Sequence, residues 1–372
     1  MEKSVLFSEE KIGERGLGVV QLNRPRALNA LNLEMFEQLA ERLLRWREDQ
    51  SIACVVLLSG HEKAFCAGGD VKGLVEGLRK GPEGLDLAKR FFVFEYFVDY
   101  LIHAYPKPVL AWTQGLTMGG GIGISNGASH RVVVETSVFS MPEVNIGLFP
   151  DVGASFFLRD MPHDVGLFLG LTGYRLGPED AMALGLSDYY LKDEWKRKVL
   201  ADITRLPWVG ERGHDVSLLD DYLNGVQRQR PAPSSSFVKE LPAVMDLVDY
   251  KHVLEFDKAF SELKKSERLT AAYENYTRGC PLSKAITFRQ LKTEPFPTLR
   301  EAFLKEWHMA ITSCENSNFV EGVRALLIDK DNQPNWIPAD LSEVTEDQVD
   351  PYFNGAKNSA SELDAMMKRH GI

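Results

Sequence analysis

Short β-branched runs alternate with segments of helical period through the first 200 residues, and this predicts an α/β fold with largely parallel strand pairing. Beyond that point almost every apolar pattern is helical, which predicts a second, mainly helical region. A third observation is a pair of glycine-rich turns, each set between a strand and a helix, where a ligand could approach the main chain.

The elements follow in order. Val5 to Ile12 and Leu17 to Leu22 predict a hairpin around Gly13-Glu14-Arg15-Gly16. Asn32 is placed to cap a helix in which Met35, Phe36, Leu39 and Leu43 recur on one face. Cys54 to Leu58 is a continuous apolar run ended by Ser59-Gly60, the pattern of a buried strand. A long helix is predicted over Leu87 to Ala104, stopped by Pro106 and Pro108. Val109 to Thr113, Arg131 to Val134 and Val138 to Met141 read as strands, and Gly119-Gly120-Gly121 opens a helix. From Asp151 to about Leu184, helical pieces are separated by Gly, Pro and Asp.

The stretch Arg230-Pro231-Ala232-Pro233-Ser234-Ser235-Ser236 has the composition of a linker. After it, Leu241 to Leu247, Glu267 to Tyr276, Leu282 to Leu291, Leu299 to Ser313 and Phe319 to Ile328 are predicted helices, with a weaker one over Ser361 to Arg369. The expected division is therefore residues 1–200 as the core and 201–372 as the helical region.

Charge and cysteines narrow the function classes. A net charge of −10 and the absence of a basic run argue against a nucleic-acid or anionic-membrane partner. Cys54, Cys66, Cys280 and Cys314 are far apart without a CxxC pair, so a reducing compartment is expected, with neither a disulfide framework nor a zinc site. The N-terminus, Met1-Glu2-Lys3-Ser4-Val5-Leu6-Phe7, has neither a signal-peptide core nor an Arg-rich transit bias, and no apolar run is long enough to span a bilayer. A soluble, cytoplasmic protein is expected.

Three groups of residues could carry chemistry. The turns Phe65-Cys66-Ala67-Gly68-Gly69-Asp70 and Gly115-Leu116-Thr117-Met118-Gly119-Gly120-Gly121 each lead into a helix. There, free N–H groups meet a partial positive charge, and glycine lets an oxygen come close. Two such amides aimed at one point make an oxyanion hole; alternatively, both are simply tight turns. Neither turn fits GxxxxGK[ST] or GxGxxG, which disfavours nucleotide folds. Pro142-Glu143 and Pro150-Asp151 place two acids in an otherwise apolar stretch, either as reacting groups or as helix-start residues. Glu95 lies in Phe91-Phe92-Val93-Phe94-Glu95-Tyr96-Phe97-Val98, which is apolar on every helical face. Its carboxyl is then paired, raised in pKa or turned to a polar cavity, unless it sits solvated at the helix edge. The eight histidines show no metal-binding spacing, and Ser125 and Ser155 lack a nucleophile-elbow context. No metal site is predicted.

The two glycine turns, together with Asn23-Arg24-Pro25-Arg26-Ala27-Leu28-Asn29-Ala30-Leu31, resemble the enoyl-CoA hydratase/isomerase (crotonase) superfamily, over roughly Val19 to Leu191. The resemblance implies a crotonase-like spiral of ββα units carrying a coenzyme A and catalytic site, with the helical region covering it. It implies an oxyanion hole at the Gly69 and Gly120 amides, and coenzyme A bound along Arg24, Arg26, Ala27, Leu28, Ala67, Gly68, Gly69, Asp70 and Val71. Backbone donors and helix ends would then offset the acidic net charge toward a polyanionic ligand.

Within the superfamily the likeness is greatest to the branch that hydrolyses short 3-hydroxyacyl-CoA thioesters, 3-hydroxyisobutyryl-CoA of valine degradation being favoured. The supporting stretches are Gly115 to Gly123, Met141-Pro142-Glu143, Ile146 to Gly153, Ile286-Thr287-Phe288-Arg289-Gln290 and Glu321-Gly322-Val323-Arg324-Ala325. Matching motifs place substrate contacts at Glu95, Gly120, Glu143 and Asp151. Hydratases of the superfamily hold a water between two glutamates, and the first of those positions is here Gly123. Thioester hydrolysis with Glu143 as nucleophile or general base is therefore expected, aided by Asp151. The alternative is an isomerase or hydratase of the same superfamily using Glu143 alone. No cofactor is implied beyond the coenzyme A of the substrate, and self-association stays open.

Overall fold

The structure, a computed structural model, describes residues 3–228, 233–263, 266–355 and 362–372, with residue 268 described in its backbone only. Residues 230–232 of the predicted linker and Ser361 of the last predicted helix lie outside the described residues, as do Met1 and Glu2. Two compact units emerge, each assembled from three stretches of chain. The first comprises Met1–Gly69, Phe97–Phe139 and Leu176–Ser236, the second Asp70–Tyr96, Ser140–Arg175 and Phe237–Ile372.

The first unit is built on a six-stranded sheet. The hairpin β1 (Val5–Lys11) and β2 (Gly16–Leu22) is antiparallel. From β2 onward, β3 (Ile52–Ser59), β5 (Val109–Thr113), β7 (His130–Val133) and β9 (Tyr189–Tyr190) all pair parallel. Parallel strands covered on both faces need no alternation, and all of β5 and all of β3 but Ser59 are buried. The short strands β4 (Ala64–Cys66), β6 (Leu116–Met118) and β8 (Val138–Ser140) form a separate three-stranded sheet.

Helix α1 (Leu33–Glu48) starts at Asn32, whose side chain accepts the Met35 N–H at 3.0 Å. Its apolar face buries Met35, Phe36, Leu39, Leu43 and Trp46. Gly18 lets the Trp46 ring lie on β2, since a Cβ there would stand 2.7 Å from the indole. The helices Lys196–Ile203 and Arg212–Gln227 supply Val199, Ile203, Leu219 and Leu223 to the same core as Leu17, Val56, Leu110 and Val132.

The second unit is helical. It contains α2 (Val71–Leu78) and the greater part of α3 (Pro82–His103), which begins five residues before its predicted start. Helix α4 (Gly120–Asn126) belongs to the first unit; α5 (Ala154–Phe157) and α6 (Val165–Thr172) belong to the second. Every residue of α6 is buried, so the helices around it must be apolar toward it. Phe168 meets Tyr174, Phe237 and Phe260 with ring centroids 5.7, 6.2 and 5.7 Å away. The predicted C-terminal helices are present as Leu241–Val248, Glu267–Arg278, Pro281–Lys292, Leu299–Glu315 and Ser317–Val323, the last running into a π-turn at Arg324–Ile328. Val253–Glu262 is a further helix that periodicity did not mark. No helix is long and apolar enough to cross a membrane among the described residues. All four cysteines are buried thiols outside any disulfide.

One buried side chain ties the first unit together near its glycine turns. Asn29 accepts the Arg24 N–H at 2.8 Å and donates to Ser59 Oγ at 2.7 Å and to the Phe65 carbonyl at 3.0 Å. Asn29→Ala leaves buried partners unsatisfied and is expected to lower the unfolding free energy by about 2–3 kcal/mol, measured by urea denaturation against the parent chain.

Candidate active site

In the first unit, the Arg24–Leu31 segment and the Ala67–Gly69 turn are joined through their main chains. The Ala67 N–H donates to the Leu28 carbonyl at 3.0 Å, and the Leu31 N–H donates to the Gly68 carbonyl at 2.8 Å. Leu28 and Asn29 both adopt left-handed φ values, 50° and 59°, which Asn tolerates and Leu does not favour. The Asn29 amide bonds offset that cost. Arg24 Nη1 donates to the Ala30 carbonyl at 2.9 Å, while Arg26 is exposed.

The second glycine turn lies against the first. Gly68, at φ +107°, would place a Cβ 3.3 Å from the Met118 oxygen and 3.8 Å from the Gly120 nitrogen. A Cβ on Gly121 would stand 2.5 Å from the Cys66 oxygen, so only glycine allows this approach. Gly119, at φ +46°, turns β6 into α4, and Gly120 is the first residue of that helix. Among the described residues, neither the Gly69 nor the Gly120 N–H donates a hydrogen bond. Gly123 is buried within α4, and its position offers no acid or base.

The predicted carboxylates fall in the second unit, where Asp70 caps α2 by accepting the Gly73 N–H at 3.1 Å and Val71 begins the helix. Glu143 is the first residue of a 3-10 turn, Glu143–Ile146, preceded by Pro142, and its Oε2 meets no donor among the described residues. Asp151 does not cap a helix; Gly153 takes that place before α5. Instead, Asp151 Oδ2 accepts the Tyr96 hydroxyl at 2.7 Å. Glu95 is 3% exposed, so the solvated helix-edge position is not the one adopted. Its charge acts on the neighbouring Tyr96 hydroxyl.

Two residues of this cluster were given no role at the site by the sequence, although Gln290 closes the family-like stretch Ile286 to Gln290. Glu306, fully buried on the helix Leu299–Glu315, accepts the Gly153 N–H at 2.6 Å and the Ser155 N–H at 2.8 Å. Gln290 donates to the Pro150 carbonyl at 2.6 Å and to Ser155 Oγ at 2.7 Å. The signal for Glu306 was available: it lies on the stripe of Ala302, Phe303, Met309 and Ala310, the kind of apolar setting that drew attention to Glu95.

Glu143, Asp151 and Glu306 have no ion-pair partner among the described residues, and burial raises the proton affinity of each. Glu143 is pushed well above the carboxylate range, by burial first and by the Asp151 charge second. Asp151 is raised to about 6, burial outweighing the hydrogen bond from Tyr96. Glu306 is raised to about 8 by burial, against the bonds that its ionised form accepts from Ser155 and Gly153. Burial and the charges of Asp151, Glu95 and Glu306 hold the Tyr96 hydroxyl firmly protonated. The arrangement suits proton traffic: two neighbouring carboxyls of unequal proton affinity beside a fixed hydroxyl donor.

Residues 17–353 match the family described as enoyl-CoA hydratase/isomerase. A curated relative from Danio rerio, named 3-hydroxyisobutyryl-CoA hydrolase, mitochondrial, is 36% identical over 357 residues, covering 94% of this chain and 89% of its own length. A solved structure described as a carnitinyl-CoA dehydratase from Mycobacterium thermoresistibile is 31% identical, with a TM-score of 0.83 over 97% of this chain and 98% of that one. An enoyl-CoA hydratase structure from Rhodobacter sphaeroides is 30% identical, with a TM-score of 0.80 over 95% of this chain and 97% of its own.

The raised Asp151 pKa fixes the sign of one pH effect. Its folded value, about 6, exceeds the ordinary 3.8, so between those pH values the folded chain binds more protons than the unfolded one. The stability that Asp151 contributes is complete below the lower value and is lost as pH rises through the upper. In Asp151→Asn the unfolding free energy, followed by denaturant titration from pH 4 to 7, should decline less steeply than in the parent chain.

Proposed function

We propose that this chain, which belongs to the enoyl-CoA hydratase/isomerase family, hydrolyses the thioester of 3-hydroxyisobutyryl-CoA to the free 3-hydroxy acid and coenzyme A. The observation that carries this reading is the 36% identity, across 94% of the chain, to a relative so named. The site geometry supports the chemistry. Position 123 lacks the carboxylate that water addition to a double bond would need, whereas Glu143 and Asp151 lie together in a buried setting.

In this reading, the Gly69 and Gly120 amides hold the thioester oxygen and stabilise the tetrahedral oxyanion, each donor being worth about 3 kcal/mol in the transition state. Glu143 reacts through the ionised fraction that its raised proton affinity leaves, and either attacks the carbonyl to give a mixed anhydride or takes a proton from an attacking water. The carbon–sulfur bond breaks, a carbon–oxygen bond to water-derived oxygen replaces it, and the departing thiolate receives a proton. Asp151 serves as the second proton carrier, and Glu95 helps to hold the substrate hydroxyl or the water. The loops around Arg24 to Leu28 and Ala67 to Val71 cradle the coenzyme A portion, Arg24 and Arg26 supplying positive charge. The second-unit helices that carry Gln290 and Glu306 cover the Asp151 loop, a role that their bonds to Gly153 and Pro150 support. No resident cofactor is required. A cytoplasmic setting belongs to the proposal; the curated relatives are labelled mitochondrial, and four buried thiols outside any disulfide suit either reducing compartment.

Isomerase or hydratase activity with Glu143 as sole proton carrier is the competing reading, given the descriptions of the two similar solved structures. Free-thiol detection on a panel of 3-hydroxyacyl-CoA thioesters separates the two. Stoichiometric thiol release with 3-hydroxyisobutyryl-CoA is expected, and its absence together with turnover of an enoyl-CoA would overturn hydrolysis. Glu143→Gln should lower kcat by about a thousandfold or more. Near-normal turnover by that variant would remove Glu143 from the chemistry.

A further inference from the structure

The loop that carries Asp151 is held in a conformation its own sequence does not favour. Val152 has φ +55°, in the left-handed region that a β-branched residue rarely enters, and Gly153 follows at φ +89°. A backbone of this kind persists only where its surroundings over-determine it. Here the surroundings come from two C-terminal helices. Glu306 receives the Gly153 and Ser155 amides on its two separate oxygens. Gln290 binds the Pro150 carbonyl on one side of Asp151 and the Ser155 hydroxyl on the other. Phe303, one helical turn before Glu306, packs on Gly153, where an added Cβ would lie 3.0 Å from its ring.

A fully buried carboxylate with no cation beside it among the described residues is an expensive way to satisfy two amides, which neutral carbonyls satisfy throughout the fold. What it adds is two oxygens, one for each amide, and receiving both at once calls on the ionised form against the burial that raises its proton affinity. We propose that Glu306 is a positioning residue: by gripping the Gly153 and Ser155 amides it fixes the 150–155 loop so that Asp151 meets the Tyr96 hydroxyl in the geometry that the reaction uses. The catalytic part of this proposal rests on the reading of Asp151 as a proton carrier in thioester hydrolysis. The structural part stands on the loop geometry alone.

Glu306→Gln keeps the shape and one acceptor but turns an amide group toward the second N–H. Two measurements on the full chain decide the matter. Amide hydrogen exchange across residues 150–158 should quicken by about tenfold or more, with the first unit unaffected. Thiol release from 3-hydroxyisobutyryl-CoA should fall by about a hundredfold in kcat with KM within about threefold, as expected for a displaced reacting group rather than a lost binding contact. The double variant Asp151→Asn/Glu306→Gln should then be no slower than Asp151→Asn alone, because Glu306 acts through Asp151. Unchanged loop exchange overturns the proposal, and so do losses that multiply in the double variant. Should Glu306→Gln fail to fold, Glu306→Asp retains the charge at shorter reach and is read by the same two measurements. A wild-type chain that releases no thiol refutes the hydrolase reading, and the exchange arm by itself then decides whether Glu306 holds the loop.

Discussion

The second unit depends on one electrostatic constraint: several carboxyl groups are buried together with no neutralising cation beside Glu143, Asp151 or Glu306 among the described residues. Glu143, Asp151 and Glu306 cannot all be ionised at modest cost in such surroundings, so the cluster retains protons where exposed carboxyls have lost theirs. Each member is treated differently by its neighbours. Glu306 accepts from the Gly153 and Ser155 amides and the Ser155 side chain, Asp151 from the Tyr96 hydroxyl and its own amide, and Glu143 Oε2 from no donor among the described residues. Burial outweighs these bonds to a different extent at each position, and so leaves the three carboxyls with distinct proton affinities.

The glycine turns of the first unit answer a steric constraint. Cys66 and Gly121 approach so closely that a single added carbon would collide with a carbonyl. Asn29 holds the neighbouring segment against the same turn through three bonds to otherwise separate parts of the chain. Backbone proximity is thus achieved by omission of side chains at some positions and by a fully committed amide at another.

The α/β crotonase-type fold was legible because the strands β3 and β5 are continuous apolar runs and α1 carries a clean 3.6-residue stripe with its capping Asn32. The start of α3 was not, because Pro82, Glu83 and Gly84 interrupt the apolar pattern before Leu87 although the backbone is already helical. The helix Val253–Glu262 escaped notice because only Phe256 and Phe260 of its ten residues are buried. In the candidate site, the burial of Glu95 could be read from its apolar neighbours, and Glu143 and Asp151 from the short apolar stretch they share. Local pattern contains nothing that brings Tyr96 to Asp151, 55 residues away, or Glu306 to Gly153, 153 residues away. Such pairings are set by tertiary packing, and sequence patterning reports only that each partner is an out-of-place polar group.

That last separation has a bearing on how the protein is made. Ribosomes extend a chain by about 5–20 residues each second, so roughly eight to thirty seconds separate the synthesis of the Asp151 loop from that of Glu306. During this interval the Glu306 and Gln290 bonds that bracket Val152 are missing. Those helices can therefore hold the loop only after translation has passed residue 306, and a prematurely terminated product would contain Glu143 and Asp151 without that part of their framework.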